Sequence, residues 1–338
     1  MLSQSFSENL TQLCLHRSRK APLVVFGSGS HLVSSSLHHH RIQRLTLRDG
    51  EIPNFSALTS LQELSLNCRA STVDPARLEA FFRLLSHAPI RHIRLQMQQI
   101  PFFPAVNAIN LTHVELHTYH PSIPNAINAA TNLVYFSVVV NRLSTYVTSP
   151  VTGITALPFL RSLTLGGASM HHGLFPQSAD RLETIQLINS KHPPPVLHSS
   201  QFPCLRLAAI DACNIDVNDL KDFFAHHPKL EHFSLLNLRD THDPHFLECL
   251  CRDDLVLCPS LRWLQLDVIS RANEWDRVFA GVLSHLHYIR FFQTSTPLYI
   301  GLYGISESNT PCTFQLATSK HIPLFLISFS DPFQPDWL

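Results

Sequence analysis

The chain has 338 residues, 45% of them hydrophobic and only 15% charged, with 25 Lys and Arg set against 25 Asp and Glu. A formal charge of zero supplies no field to draw it to nucleic acid or an anionic membrane, and no uninterrupted apolar run of about 18 residues offers a membrane span. The 22 histidines are mostly neutral at pH 7 and would add considerable positive charge in mild acid.

Met1 to Lys20 carries polar residues throughout, so no secretory leader is expected. Cysteines at 14, 68, 204, 213, 249, 251, 258 and 312 form no even framework, which suits a reducing, intracellular compartment, cytoplasmic or nuclear. Leu23-Val-Val-Phe26, bounded by Pro22 and Gly27, reads as a short buried strand, and Leu32 to Leu37 as a short helix. Residues 1–40 are expected to cap the open end of a sheet.

From Ile42 onward one pattern recurs, apolar-x-x-apolar-x-apolar. It begins at Ile42, Leu61, Ile90, Leu111, Leu133, Leu160, Leu182, Leu205, Leu230, Leu261 and Leu286, at intervals between 19 and 31 residues. The best-defined unit runs from Leu205 to Leu235: a strand pattern, an amphipathic helix carrying Val217, Leu220, Phe223 and Phe224 behind Asp216, then Pro228 and the next strand. Repeats of about 20–29 residues that offer one strand each are leucine-rich repeats. The expected fold is α/β: a right-handed leucine-rich-repeat solenoid, a horseshoe with one parallel sheet on its concave face. About eleven units would span 41–295, with 296–338 as a C-terminal capping segment.

The convex connections read as mixed. Asp74-Pro75 opens a helix through Leu85, and Ala272 to Leu286 reads as another. Pro101-Phe-Phe-Pro104, Pro121-Ser-Ile-Pro124 and Pro193-Pro-Pro195 read as extended or turn-like. Near the end, Pro297 to Tyr303 and Phe314 to Ala317 are expected to pair as a hairpin, followed by the apolar run Leu324 to Phe329.

Leu15-His-Arg17-Ser18, Pro22-Leu23-Val-Val and His40-Arg41-Ile42-Gln-Arg-Leu45-Thr-Leu47 resemble the segment that follows the F-box in fungal F-box/leucine-rich-repeat proteins. The His-Pro-x-Leu230 and Cys258-Pro-Ser-Leu261 junctions are similar to repeat junctions of that group. The resemblance covers the repeat region and implies the substrate-recognition part of an F-box-type ubiquitin-ligase subunit. The F-box that docks the ligase's adaptor subunit has no counterpart ahead of Leu10, which leaves adaptor binding open. The alternative is a free-standing repeat scaffold or inhibitor with no link to ubiquitin.

No phosphate loop, nucleophile elbow or His-Glu-x-x-His helix is present, so neither catalysis nor a cofactor is expected. His242, His245, Cys249, Cys251 and Cys258 are zinc-type ligands, but no second Cys pair completes a site, and buried cysteines with a surface loop account for them as well. The repeats supply a surface instead. Eleven strands about 4.8 Å apart would make a concave face roughly 50 Å long, room for a target protein. That face is charged and His-rich at its start, small in the middle and aromatic at its end. Its candidate partner-binding residues are Tyr135, Asp211, His232, Trp263, Asp267, Tyr288 and Arg290, with Trp263 and Tyr288 expected side by side.

Overall fold

The computed structural model describes residues 13, 16–17, 20–27, 36–48, 52–68, 74–97, 100, 102–104, 106–118, 120, 122–140, 153–167, 174–189, 202–211, 217–236, 251–252, 255–267, 280–281, 283–284, 290, 297–303 and 324–327. The chain divides into two compact units, residues 1–160 and 161–338.

In the first unit the strands are β1 (Leu23–Gly27), β2 (Ile42–Arg48), β3 (Glu63–Cys68), β4 (His92–Met97), β5 (His113–Leu116) and β6 (Tyr135–Val139). Each pairs in parallel with the next, so their spatial order is their sequence order. Helix α1 (Pro75–Leu84) joins β3 to β4, and α2 (Ile123–Asn128) joins β5 to β6. In the second unit β7 (Ser162–Gly166), β8 (Thr184–Ile188), β9 (Leu207–Asp211) and β10 (His232–Leu236) pair in the same way, with α3 (Val217–His226) between β9 and β10. β11 (Cys251–Arg252) and β12 (Leu255–Val256) form a small antiparallel pair of their own. The parallel series resumes with β13 (Trp263–Asp267), β14 (Tyr299–Tyr303) and β15 (Leu324–Ile327).

Alternation along each strand explains the core. Leu45, Leu64, Ile93, Val114 and Phe136 lie side by side in register and are buried, as are Leu47, Leu66, Leu95, Leu116 and Val138 one step on. In the second unit Leu163, Ile185, Ala208, Phe233 and Leu264 form one such row, and Leu165, Leu187, Ile210, Leu235 and Leu266 the next. Ala208 leaves room beside Phe233, whose ring meets Phe224 of α3 edge-on at 4.8 Å.

A tight turn delivers the chain into these strands. The N–H of the leading apolar residue donates to the carbonyl three residues earlier at Leu61, Leu111, Leu133, Leu160, Leu182, Leu205, Leu230 and Leu261, at 3.0–3.1 Å each time. The accepting residues are Leu58, Ala108, Ala130, Leu157, Ala179, Phe202, His227 and Cys258. Pro158, Pro203, Pro228 and Pro259 occupy the second position of this turn, where a fixed φ near −65° suits it. His227 and Cys258 therefore stand at a core position that other turns give to Leu157 or Ala179.

Several connections differ from the sequence expectation. Pro121 to Pro124 was to be non-helical, yet Pro124 lies in the first turn of α2, where a helix needs no donor from it. β1 is an edge strand with Val24 and Phe26 on its outer face, 54% and 64% exposed, not a buried one. β14 lies parallel to β13 and β15 instead of forming a hairpin with 314–317, a segment outside the described residues. Asp74 caps α1 as expected, its Oδ1 accepting from Ala76 N at 3.0 Å, and Leu78, Phe81 and Phe82 face inward. In α3 Leu220, Phe223 and Phe224 are buried, while Asp216 and Pro193–Pro195 lie outside the described residues.

Candidate functional site

Parallel, in-register strands also put equivalent side chains of the outer sheet face next to one another. In the first unit one row runs Arg44, Glu63, His92, His113, Tyr135, and the next Thr46, Ser65, Arg94, Glu115, Ser137. Arg44 forks onto Glu63, Nη2 donating to Oε1 at 2.8 Å while Nε meets Oε2. His92 Nδ1 stops 3.9 Å from the same Oε1, beyond hydrogen-bond reach. The His92 ring meets His113 edge-on with centroids 4.3 Å apart, and His113 stacks on Tyr135 at 6.0 Å. Glu115 Oε1 accepts from His117 Nε2 at 2.9 Å and lies 3.3 Å from Arg94 Nη2. Arg44, Glu63, His92, Arg94, His113, Glu115 and Tyr135 line a depression of about 300 Å³.

The charge states follow from these contacts. The hydrogen bond from His117, with the Arg94 cation nearby, holds the Glu115 carboxyl below its ordinary range against the effect of burial. Burial pushes the His113 imidazole down, helped by His92 and opposed by Glu63. The Thr112 hydroxyl donates to the Arg91 carbonyl at 3.3 Å and so accepts from His113 Nδ1 at 3.0 Å. That bond leaves Nε2 of neutral His113 without a proton.

In the second unit the corresponding row is Ser162, Thr184, Leu207, His232, Trp263, Tyr299. Trp263 and Tyr299 stack with centroids 6.4 Å apart and an angle of 29°. Beside this row lie Thr164, Gln186, Ala209, Ser234, Gln265 and Gly301, several of them small, with Ser234 Oγ donating to Gln265 Oε1 at 3.2 Å. One position ahead of the row the charges alternate: Arg161, Glu183, Arg206, Glu231, Arg262. Arg206 directs Nε and Nη2 to Glu231 Oε1 at 2.9 and 2.6 Å, and Arg161 lies 3.7 Å from Glu183. Burial pushes the His232 imidazole down, aided by Arg262 and Arg206 and opposed by Glu231.

Of the residues expected on a binding face, Tyr135 and His232 lie half-buried in their rows, and Trp263 lies in the row of His232. Asp211 ends β9, half-buried and in register with Leu236. Asp267 ends β13 beside Tyr303, and its side chain is outside what is described, as is all of Tyr288. Arg290 needs a correction. It is helical and 5% exposed, with Nη1 donating to the Cys258 carbonyl at 3.0 Å and Nη2 to the Leu261 carbonyl at 2.6 Å. It clamps the turn into β13 from inside instead of projecting from the sheet; among the described residues Trp263 lies in register between His232 and Tyr299.

Tyr299 was missed because Pro297 holds the leading position of its unit, where other units carry Leu or Ile. Its signal was the alternation Leu298, Ile300, Leu302. Of the suspected zinc ligands, Cys258 is buried, its Sγ donating to the Phe224 and His227 carbonyls at 3.5 and 3.6 Å, and burial pushes its thiol far up despite Arg290. His242, His245 and Cys249 lie outside the described residues. Among the described residues no three His, Cys, Asp or Glu side chains gather as a metal site, and no helix is long and apolar enough to cross a membrane. No protein-family model and no curated protein matches the chain.

Proposed function

We propose that this chain is a leucine-rich-repeat interaction module, not an enzyme, that holds a target protein on the outer faces of its parallel strands. The reading draws on the repeated Pro-x-Leu turn, one strand per unit and two buried rows behind one exposed face. The observation that carries it is the Trp263–Tyr299 stack, an aromatic pair on that face with Tyr299 37% exposed. Large aromatics left accessible beside small neighbours are the usual anchors of binding energy. The resemblance to fungal F-box repeat proteins gives the module its role, recognition of a ubiquitin-ligase substrate, with a free-standing scaffold as the alternative.

Trp263→Ala is expected to weaken target capture at least about tenfold, near 1.4 kcal/mol, while barely moving the melting midpoint. Parallel capture with parent and variant, read by quantitative mass spectrometry, tests this. A variant that melts early yet keeps its captured proteins would make the stack a structural cap. Co-purification of the ligase's adaptor subunit with the protein supports the ubiquitin role, and its absence favours the scaffold.

A further inference from the structure

The first unit's face has an imbalance between donors and acceptors. Glu63 is taken by the Arg44 fork, and Glu115 by His117. Among the described residues, by contrast, Arg94 has only the Glu115 oxygen at 3.3 Å, which His117 already occupies, and its side chain is 54% exposed. Among the same residues His92 touches its neighbours only through the His113 ring and the long 3.9 Å approach to Glu63. The depression thus offers a guanidinium fork and imidazole nitrogens awaiting partners, while its carboxylates have theirs.

Its charges are poised in the same sense. The groups around His92 and His113 are Arg44 and Glu63 from the preceding strands, Arg94 beside His92, and Glu115, His117 and Tyr135 beyond. The two arginines and two glutamates cancel, so a proton taken up by His113 makes the depression cationic. A carboxylate placed between Arg94 and the His92–His113 pair, whose rings lie 4.3 Å apart, would favour that protonation. From β2 to β6 is four strand spacings, about 19 Å, the length of some six extended residues.

We propose that this depression docks an extended, Asp/Glu-bearing segment of the target protein, and that docking takes up a proton on His113. The proposal rests on the interaction-module reading and names the partner chemistry of its first unit. Each unit by which the bound carboxylate raises one imidazole corresponds to about tenfold in affinity once both forms are protonated.

The test uses the full chain and labelled hexapeptides, acetyl-(Ser-Glu)3-amide with its Gln, Lys and phosphoserine counterparts, read by fluorescence anisotropy at pH 7.5 and 5.8. The Glu peptide is expected to bind, to exceed the Gln and Lys peptides at least about tenfold, and to tighten about tenfold at the lower pH. Arg94→Gln should abolish the preference. His113→Gln should remove only the tightening; should it lower the melting midpoint, His113→Asn replaces it with the same expectation. Equal binding of Glu and Gln peptides, binding of the phosphoserine peptide alone, or a pH gain that survives the histidine variants overturns the proposal. If the Glu peptide fails while Trp263→Ala still costs target capture, this inference falls and the interaction module stands.

Discussion

At the level of single residues, the turn into each strand explains why a histidine and a cysteine lie in the core. His227 fills the place of Leu157 and Ala179, 2% exposed, with Nδ1 donating to the Phe223 carbonyl at 2.7 Å and its ring 4.5 Å from that of Phe223. Among the described residues Nε2 has no partner, so the ring is comfortable only when neutral, and burial pushes its pKa down from 6.5. Above pH 6.5 the imidazole is neutral folded or unfolded, and stability is at its full value. As the pH falls below that, the unfolded chain takes up a proton that the folded one refuses, and stability declines until the folded pKa is passed. His227→Leu, which supplies the residue found at 157, should flatten the fall in melting midpoint between pH 7.5 and 5.5. His39, also driven down by burial, will keep part of the slope. An unchanged slope would show that His227 takes up its proton over the same pH range folded and unfolded.

Helices and strands show which levels of organisation a sequence exposes. Asp74-Pro75 announced α1 because an N-cap acceptor and a preset φ act locally. Asp74→Ala should cost about 1 kcal/mol, seen as a lower urea midpoint with an unchanged slope. The exposed Asp74–Arg77 approach at 3.9 Å adds little to this, being open to solvent. α2 was hidden because two prolines three apart look like a broken segment, and only the position of the first turn makes Pro124 harmless. Arg290, within the pattern that begins at Leu286, is helical instead of extended: apolar residues three apart serve one face of a helix as readily as a repeat strand. Arg290 follows from neither period. Its task, bridging carbonyls of Cys258 and Leu261, exists only once a chain segment some thirty residues away is folded beside it, and no local spacing encodes that.

Across each whole unit, stability comes from rows that are continuous through successive strands. Leu163 is fully buried beside Ile185, and Leu235 lies between Ile210 and Leu266. Leu163→Asp or Leu235→Asp places an unpaired charge in such a row at a cost of several kcal/mol, and neither variant should keep a cooperative melt near the parent's midpoint. The outward rows were legible too, since alternation assigns each residue a face once the buried set is known. Hence Arg44, His92 and Trp263 could be placed from the sequence. Their contacts could not: which carboxylate Arg94 meets, and that Tyr299 stacks on Trp263, depend on how far the chain wanders between strands.

That independence of the connection from the strand bears on how such a chain changes length over generations. A cut at Leu182 and another at Leu205 fall at identical places in the same turn, each with its N–H on a carbonyl three residues back. Losing the stretch between them would bring β7 against β9 with every row still aligned, Leu163 beside Ala208 and Ser162 beside Leu207. Duplicating it would lengthen the face by one strand at an existing seam. Genes for such chains can gain or shed whole periods and still encode a folded product, whereas a loss of half a period sets buried leucines against an outward row. The outward face is thus free to be revised one stripe at a time.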